Sequence, residues 1–171
     1  MVHLLDANTL IDANRDYYGL DTVPQFWDWL IHMGNQGDVK IPLEIYEELK
    51  KGNDGLTEWV KREDVEAALL EAALLYDEEA DPALVGQVLD AGYGQGLSDI
   101  QIEKIGRDPF LISYALVDPD NIAIVTTEVS KPSTTEPSNK RVPDVCNTLG
   151  VSHLHTFRFT KALGFNTNWN A

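Results

Sequence analysis

Short apolar runs that end in an acid, separated by stretches of helical periodicity, are the feature that most restricts what this chain can fold into. Val2–Leu5 is one such run, closed by Asp6. Asn121–Thr126 is another, with Ile122, Ala123, Ile124 and Val125 in succession and Glu128 just beyond. Runs this short and this apolar suit strands covered on both faces, as inside a parallel sheet. Val39–Ile41 and Val151–His155 supply two more candidates. Between them lie helices with readable ends. Pro24–Met33 has a first-turn proline, carries Phe26, Trp27, Leu30 and Ile31 on one stripe, and can stop at Gly34 or Gly37. Pro42 opens a helix to about Lys51, and Asn53 or Asp54 caps another over Leu56–Arg62. Glu63–Glu79, with Val65, Leu69, Ala72 and Tyr76 at helical spacing, predicts one long helix, and Asp81-Pro82 begins a further one through Leu89. Gly92, Gly94 and Gly96 predict a flexible connection, and Asp108-Pro109 opens a helix that buries Leu111, Ile112, Ala115 and Leu116. Residues 129–142, rich in Ser, Thr, Pro and Lys, read as a long loop; Pro143–Leu149 and Phe157–Leu163 read as the last helices. The alternation predicts an α/β fold: a three-layer α/β/α domain around a mostly parallel sheet. Ligands of such sheets sit beyond the carboxyl ends of the strands, where Asp6 and Glu128 fall.

Charge narrows the function. The 171 residues include 13 basic and 28 acidic side chains, a formal net charge of −15. Such a chain is ill suited to holding nucleic acid on a broad basic surface, but clustered carboxylates are what hard divalent cations need. The charge is uneven: residues 1–120 hold 8 basic and 25 acidic side chains, whereas residues 121–171 hold 5 and 3. A polyanion would be tolerated best along the C-terminal third. The single cysteine, Cys146, cannot form an internal disulfide, and neither a signal peptide nor a membrane-length apolar stretch is present. These features predict a cytoplasmic protein with no membrane partner.

Four acids can meet over one sheet edge: Asp6, Glu48, Asp108 and Glu128. Glu48 lies on the border between the buried Ile45/Leu49 stripe and an exposed side carrying Glu44 and Glu47. Each acid also has a plainer reading. Asp6 can be a polar turn, Glu48 a solvated helix acid, Asp108 an N-cap before Pro109, and Glu128 loop surface. His153 and His155 share one face of a strand but have no third ligand nearby, so they read as polar strand positions. Trp29 with Phe26, if exposed, would suit a homodimer contact.

In order along the chain, these segments resemble a known family. Leu4-Leu5-Asp6-Ala7-Asn8-Thr9-Leu10-Ile11 resembles the opening motif of PIN-domain nucleases, and Ile41-Pro42-Leu43-Glu44-Ile45-Tyr46-Glu47-Glu48-Leu49 resembles the second, placing its glutamate at Glu48. Asp108-Pro109-Phe110-Leu111-Ile112-Ser113-Tyr114-Ala115 is similar to the third motif, and Ile124-Val125-Thr126-Thr127-Glu128 to the fourth. The nearest likeness is to VapC-like toxins and their less characterised bacterial relatives, in which Pro143-Asp144-Val145-Cys146 also recurs.

The resemblance implies a single PIN-like domain over residues 1–171, with a helical insertion at about 54–98 that could form a clamp or partner-binding arm. It implies a Mg²⁺- or Mn²⁺-dependent endoribonuclease that hydrolyses RNA phosphodiester bonds, the toxin of a toxin–antitoxin pair restrained by a basic antitoxin protein. Asp6, Glu48, Asp108 and Glu128 would hold the metal. Because the fourth acid is Glu where the family usually has Asp, Glu128 and Asp144 compete for that role. Asn8, Thr9 and Thr127 would orient the carboxylates or the phosphate, and Lys140 and Arg141 would contact the substrate phosphate. Two other readings stand beside it. Asp6-Ala7-Asn8-Thr9 approximates the DxDxT opening of haloacid-dehalogenase phosphatases, with Asn8 replacing the second aspartate, and the chain could be a catalytically silent PIN-like binding module.

Overall fold

A computed structural model describes residues 1–71 and 80–171. Its centre is an all-parallel sheet of strands β1 (Val2–Leu5), β2 (Val39–Pro42), β3 (Leu70–Glu71), β4 (Ile122–Thr126) and β5 (Ser152–His155), in the order β3-β2-β1-β4-β5. Register sets Val2 against Ile122 and Leu5 against Val125 across the β1–β4 pair, and His3 against Val39 across β1–β2. The central strands are apolar because both faces are covered, and β4 is buried along its whole length.

Helices form the outer layers. On one side α2 (Pro24–Asn35) packs on α5 (Glu63–Leu69) and meets α10 (Thr156–Ala162) through aromatic rings, Trp29 lying 5.5 Å from Phe159. Gly34 lets α2 meet α5 at backbone distance: a Cβ there would stand 2.7 Å from the Ala68 carbonyl oxygen. On the other side α3 (Leu43–Leu49), α8 (Asp108–Leu116) and α9 (Val142–Leu149) pack with α6 (Pro82–Gln87), which continues as a π-helical turn over Val88–Tyr93. Helices α1 (Ala7–Asp12), α4 (Gly55–Val60) and α7 (Asp99–Ile105) complete the domain, α1 running on into a second π-helical turn at Ala13–Tyr17. Cys146 on α9 is a free thiol, fully buried. Among the described residues, no helix is long and apolar enough to cross a membrane.

Three expectations change. The long helix over 63–79 stops at Leu69, because Leu70 turns extended and Leu70–Glu71 pairs with Ile41–Pro42 as an edge strand. Periodicity alone does not separate a buried helical turn from a short buried strand. The remainder of that expectation, including Ala72 and Tyr76, lies outside the described residues. Gly92 is no loose connection: it sits in the π-helical turn, where an added Cβ would come within 2.6 Å of Val145 Cγ1. Only Gly94 and Gly96, both at positive φ, make the turn that follows. Finally, Phe26 and Trp29 are buried against Tyr18, Phe159 and Phe165, so the condition of exposure set for a homodimer contact there is not met.

Strand order reverses at β1. The chain steps outward from β1 to β2 and β3, then returns to lay β4 on the other side of β1. The crevice at the carboxyl ends of β1 and β4 is therefore the topological switch point, the ordinary place for a ligand in an open parallel sheet.

Candidate active site

Asp6 stands at that crevice, 3% exposed. Its amide donates to the Val125 carbonyl at 3.0 Å, tying the end of β1 to β4. Its carboxylate caps α1 by accepting the Asn8 amide on Oδ1 at 3.4 Å, and accepts the Thr126 hydroxyl on Oδ2 at 2.8 Å. Burial disfavours the ionised form and, with the negative charges of Glu128 and Glu48 adding to it, outweighs the Thr126 and Asn8 hydrogen bonds, so the pKa rises from 3.8 to about 6.

Asp108 reaches the same place from the first turn of α8. The N-cap of that helix is Arg107, and Asp108 caps nothing. An Asp-Pro pair fits a helix start in either register, and here the proline falls one position deeper than expected. The carboxyl is enclosed although the residue keeps some solvent access, and its donor is the buried Tyr93 hydroxyl, at a long 3.4 Å. Burial raises its pKa well above the usual range, and the charges of Asp6, Glu128 and Glu48 raise it further. Glu48 is exposed at the rim of this group, close enough for both aspartates to feel its charge. Its neighbour Glu44, expected on the solvent side, is instead buried and accepts the Ala80 amide at 3.2 Å, because the chain returns over α3 at Ala80.

Glu128 and Asp144 separate cleanly. Glu128 shares the field of Asp6 and Asp108, and both its oxygens are engaged: Oε2 accepts the Val142 amide at 2.7 Å and Oε1 faces Arg141 Nη1 at 3.2 Å. Asp144 is committed elsewhere. It accepts the Ser130 hydroxyl at 2.5 Å and the Lys131 amide at 2.7 Å, both from the loop before α9. Of the anticipated orienting residues, Thr9 donates to the Val125 carbonyl at 2.9 Å and Thr127 to Asp12 at 2.6 Å, while Asn8 is exposed and serves Asp6 through its backbone. Thr126, passed over in the sequence, is the hydroxyl that orients Asp6, from the last position of β4. His153 pairs with Asn147 and His155 caps α10, so neither histidine belongs to this site.

Asp108 and Glu128 open into a cleft of about 530 Å³ walled by the loop over residues 129–141. Lys104, Lys131, Lys140 and Arg141 line it with them. Arg141 is held by Glu128, and Lys140 donates to the Gly92 carbonyl at 2.9 Å, which steadies the turn carrying Tyr93. An acidic floor under a basic wall can accept a phosphodiester at its edge and a cation beneath it. Among the described residues, no three His, Cys, Asp or Glu side chains are placed to hold a metal ion together.

The fold and this site define a parallel α/β domain with an acid cluster at its switch point. Residues 3–167 match the profile of a family described as a domain of unknown function, DUF4411, and the chain belongs to that family. No curated protein and no solved structure matches it.

Proposed function

We propose that this chain is a divalent-cation-dependent endoribonuclease that hydrolyses RNA phosphodiester bonds. One observation carries the reading: two enclosed aspartates from separate elements lie near the switch point, Asp6 in the field of Glu128 and Glu48, and Asp108 in that of Asp6, Glu128 and Glu48. Enclosed carboxylates that repel one another are unfavourable unless a cation joins them, and an all-oxygen donor set suits Mg²⁺ or Mn²⁺. Asp6, Asp108 and Glu48 would hold it by drawing together, since among the described residues they form no metal-holding group where they stand; Glu128 joins only if its bond to Arg141 opens. A bound cation supplies positive charge against the negative charge that builds on a phosphodiester attacked by water. The chain does the rest. Thr126 directs one oxygen of Asp6, Tyr93 steadies Asp108, and the basic residues of the cleft take the neighbouring phosphates. A toxin role, with a basic antitoxin covering the acids, follows from the family resemblance and suits the chain's net charge of −15.

The test is cleavage of RNA in Mg²⁺ and in Mn²⁺. Chelation by EDTA abolishes it, and Asp6→Asn or Asp108→Asn lowers it by more than about a hundredfold, the loss expected when a metal-holding carboxylate is removed. RNA left intact while a small phosphomonoester is hydrolysed would transfer the assignment to a phosphatase.

A further inference from the structure

We propose that Asp144 is a positioning residue, the pin that sets Lys131 at the mouth of the cleft to contact the phosphodiester backbone of an unpaired strand. The inference deepens the nuclease reading and rests on it for the class of ligand. Both Asp144 oxygens are committed to consecutive loop residues, Oδ1 to the Ser130 hydroxyl and Oδ2 to the Lys131 amide. The loop needs such pins, because residues 129–141 contain no strand and a single 3₁₀ turn at Pro137–Asn139. Its other fastenings are also side chains: Gln101 donates to Glu136 at 2.8 Å, and Glu128 accepts the Val142 amide. This wall is a built surface.

Among the basic residues of the cleft, Lys140 is held by Gly92, Arg141 by Glu128, and Lys104 lies in the field of Glu136. Among the described residues, the Lys131 ammonium has no hydrogen bond or ion pair. A second cleft of about 500 Å³ shares Lys131, Thr134 and Lys140 with the first, so Lys131 stands on the ridge between them. A single strand leaving the acids over that ridge meets a free cation, whereas a duplex would have to lie across the openings.

The experiment is a titration of a labelled oligouridylate in EDTA at several salt concentrations, followed by anisotropy. Lys131→Gln and Asp144→Ala each weaken binding several-fold and reduce the salt slope by about 0.7, the increment for one phosphate contact on a single strand. The double variant binds no more weakly than Lys131→Gln alone, and Asp144→Asn, which keeps an acceptor for the Lys131 amide, restores most of the loss. The sign is diagnostic, since deleting an acid near a polyanion would otherwise tighten binding. Mn²⁺ affinity, measured by calorimetry, is unchanged in Asp144→Ala. If that variant does not fold, Ser130→Ala, which removes one arm of the pin, must weaken binding in the same direction. Tighter binding by Asp144→Ala, loss of its Mn²⁺ affinity, equal binding of a paired duplex, or binding indifferent to Lys131 overturns the proposal, even if RNA is cut. Lys131-dependent binding with no cleavage in any cation sustains it and removes the nuclease reading instead.

Discussion

The acid group, which reaches the cleft at Asp108, and the loop wall opposite it are held by different forces. Floor residues ride on regular elements: Asp6 ends β1, and Asp108 begins α8. Sheet order places them, and backbone hydrogen bonds keep them there whatever their charge. The wall over residues 129–141 hangs from Glu128, Asp144 and Glu136 through side-chain bonds at the surface. Such bonds contribute little each, and the exposed ion pairs among them least. A site assembled this way concentrates its unfavourable energy in the floor and leaves the wall free to change.

The floor should therefore show large, pH-dependent effects and the wall small ones. The largest concerns Asp6. Its carboxyl ionises near 3.8 when unfolded and near 6 when folded, so the folded state holds the proton more tightly. That contribution is complete below the unfolded value and is lost as pH rises through about 6, at a cost of roughly 3 kcal/mol. Urea denaturation of the metal-free protein against Asp6→Asn should show near-equal stability around pH 4. Above pH 7 the variant should be more stable by about 1–3 kcal/mol. A difference that does not vary with pH breaks the floor half of the contrast.

Next comes Thr126→Val, which removes the 2.8 Å hydroxyl donor from Asp6. A hydrogen bond to a buried charged group is worth about 1.5–3 kcal/mol, so the loss appears at pH 8 and shrinks once Asp6 is protonated. Thermal melts at the two pH values decide it. Smallest is Arg141→Gln. Its ion pair with Glu128 joins side chains 50% and 18% exposed, and its removal should change stability by less than about 1 kcal/mol. A larger change would mean that the wall is as tightly built as the floor.

The same contrast explains what the sequence could disclose. Asp6 and Glu128 were legible because apolar strands end beside them, and a parallel sheet gathers strand ends on one edge. Asp108 was found, but its register within the helix start was not, since either register satisfies the proline. Thr126, Tyr93 and the clasp of Asp144 on Ser130 and Lys131 were not legible. Each is a contact made across the chain, and no local pattern distinguishes Thr126 from Thr127. Strand β3 was hidden for a related reason: Leu70 continues an Ala- and Leu-rich helical rhythm, and only its neighbour β2 makes it a strand.

Cys146 carries one further consequence. Buried in α9, with its thiol pushed up to about 12 by burial and by the charges of Asp108 and Asp6, the sulfur is inert in the closed protein. It is also the chain's single cysteine. The rate at which an alkylating reagent consumes it is thus a clock for the breathing of the helices beside the acids, readable in the wild-type chain without any introduced label.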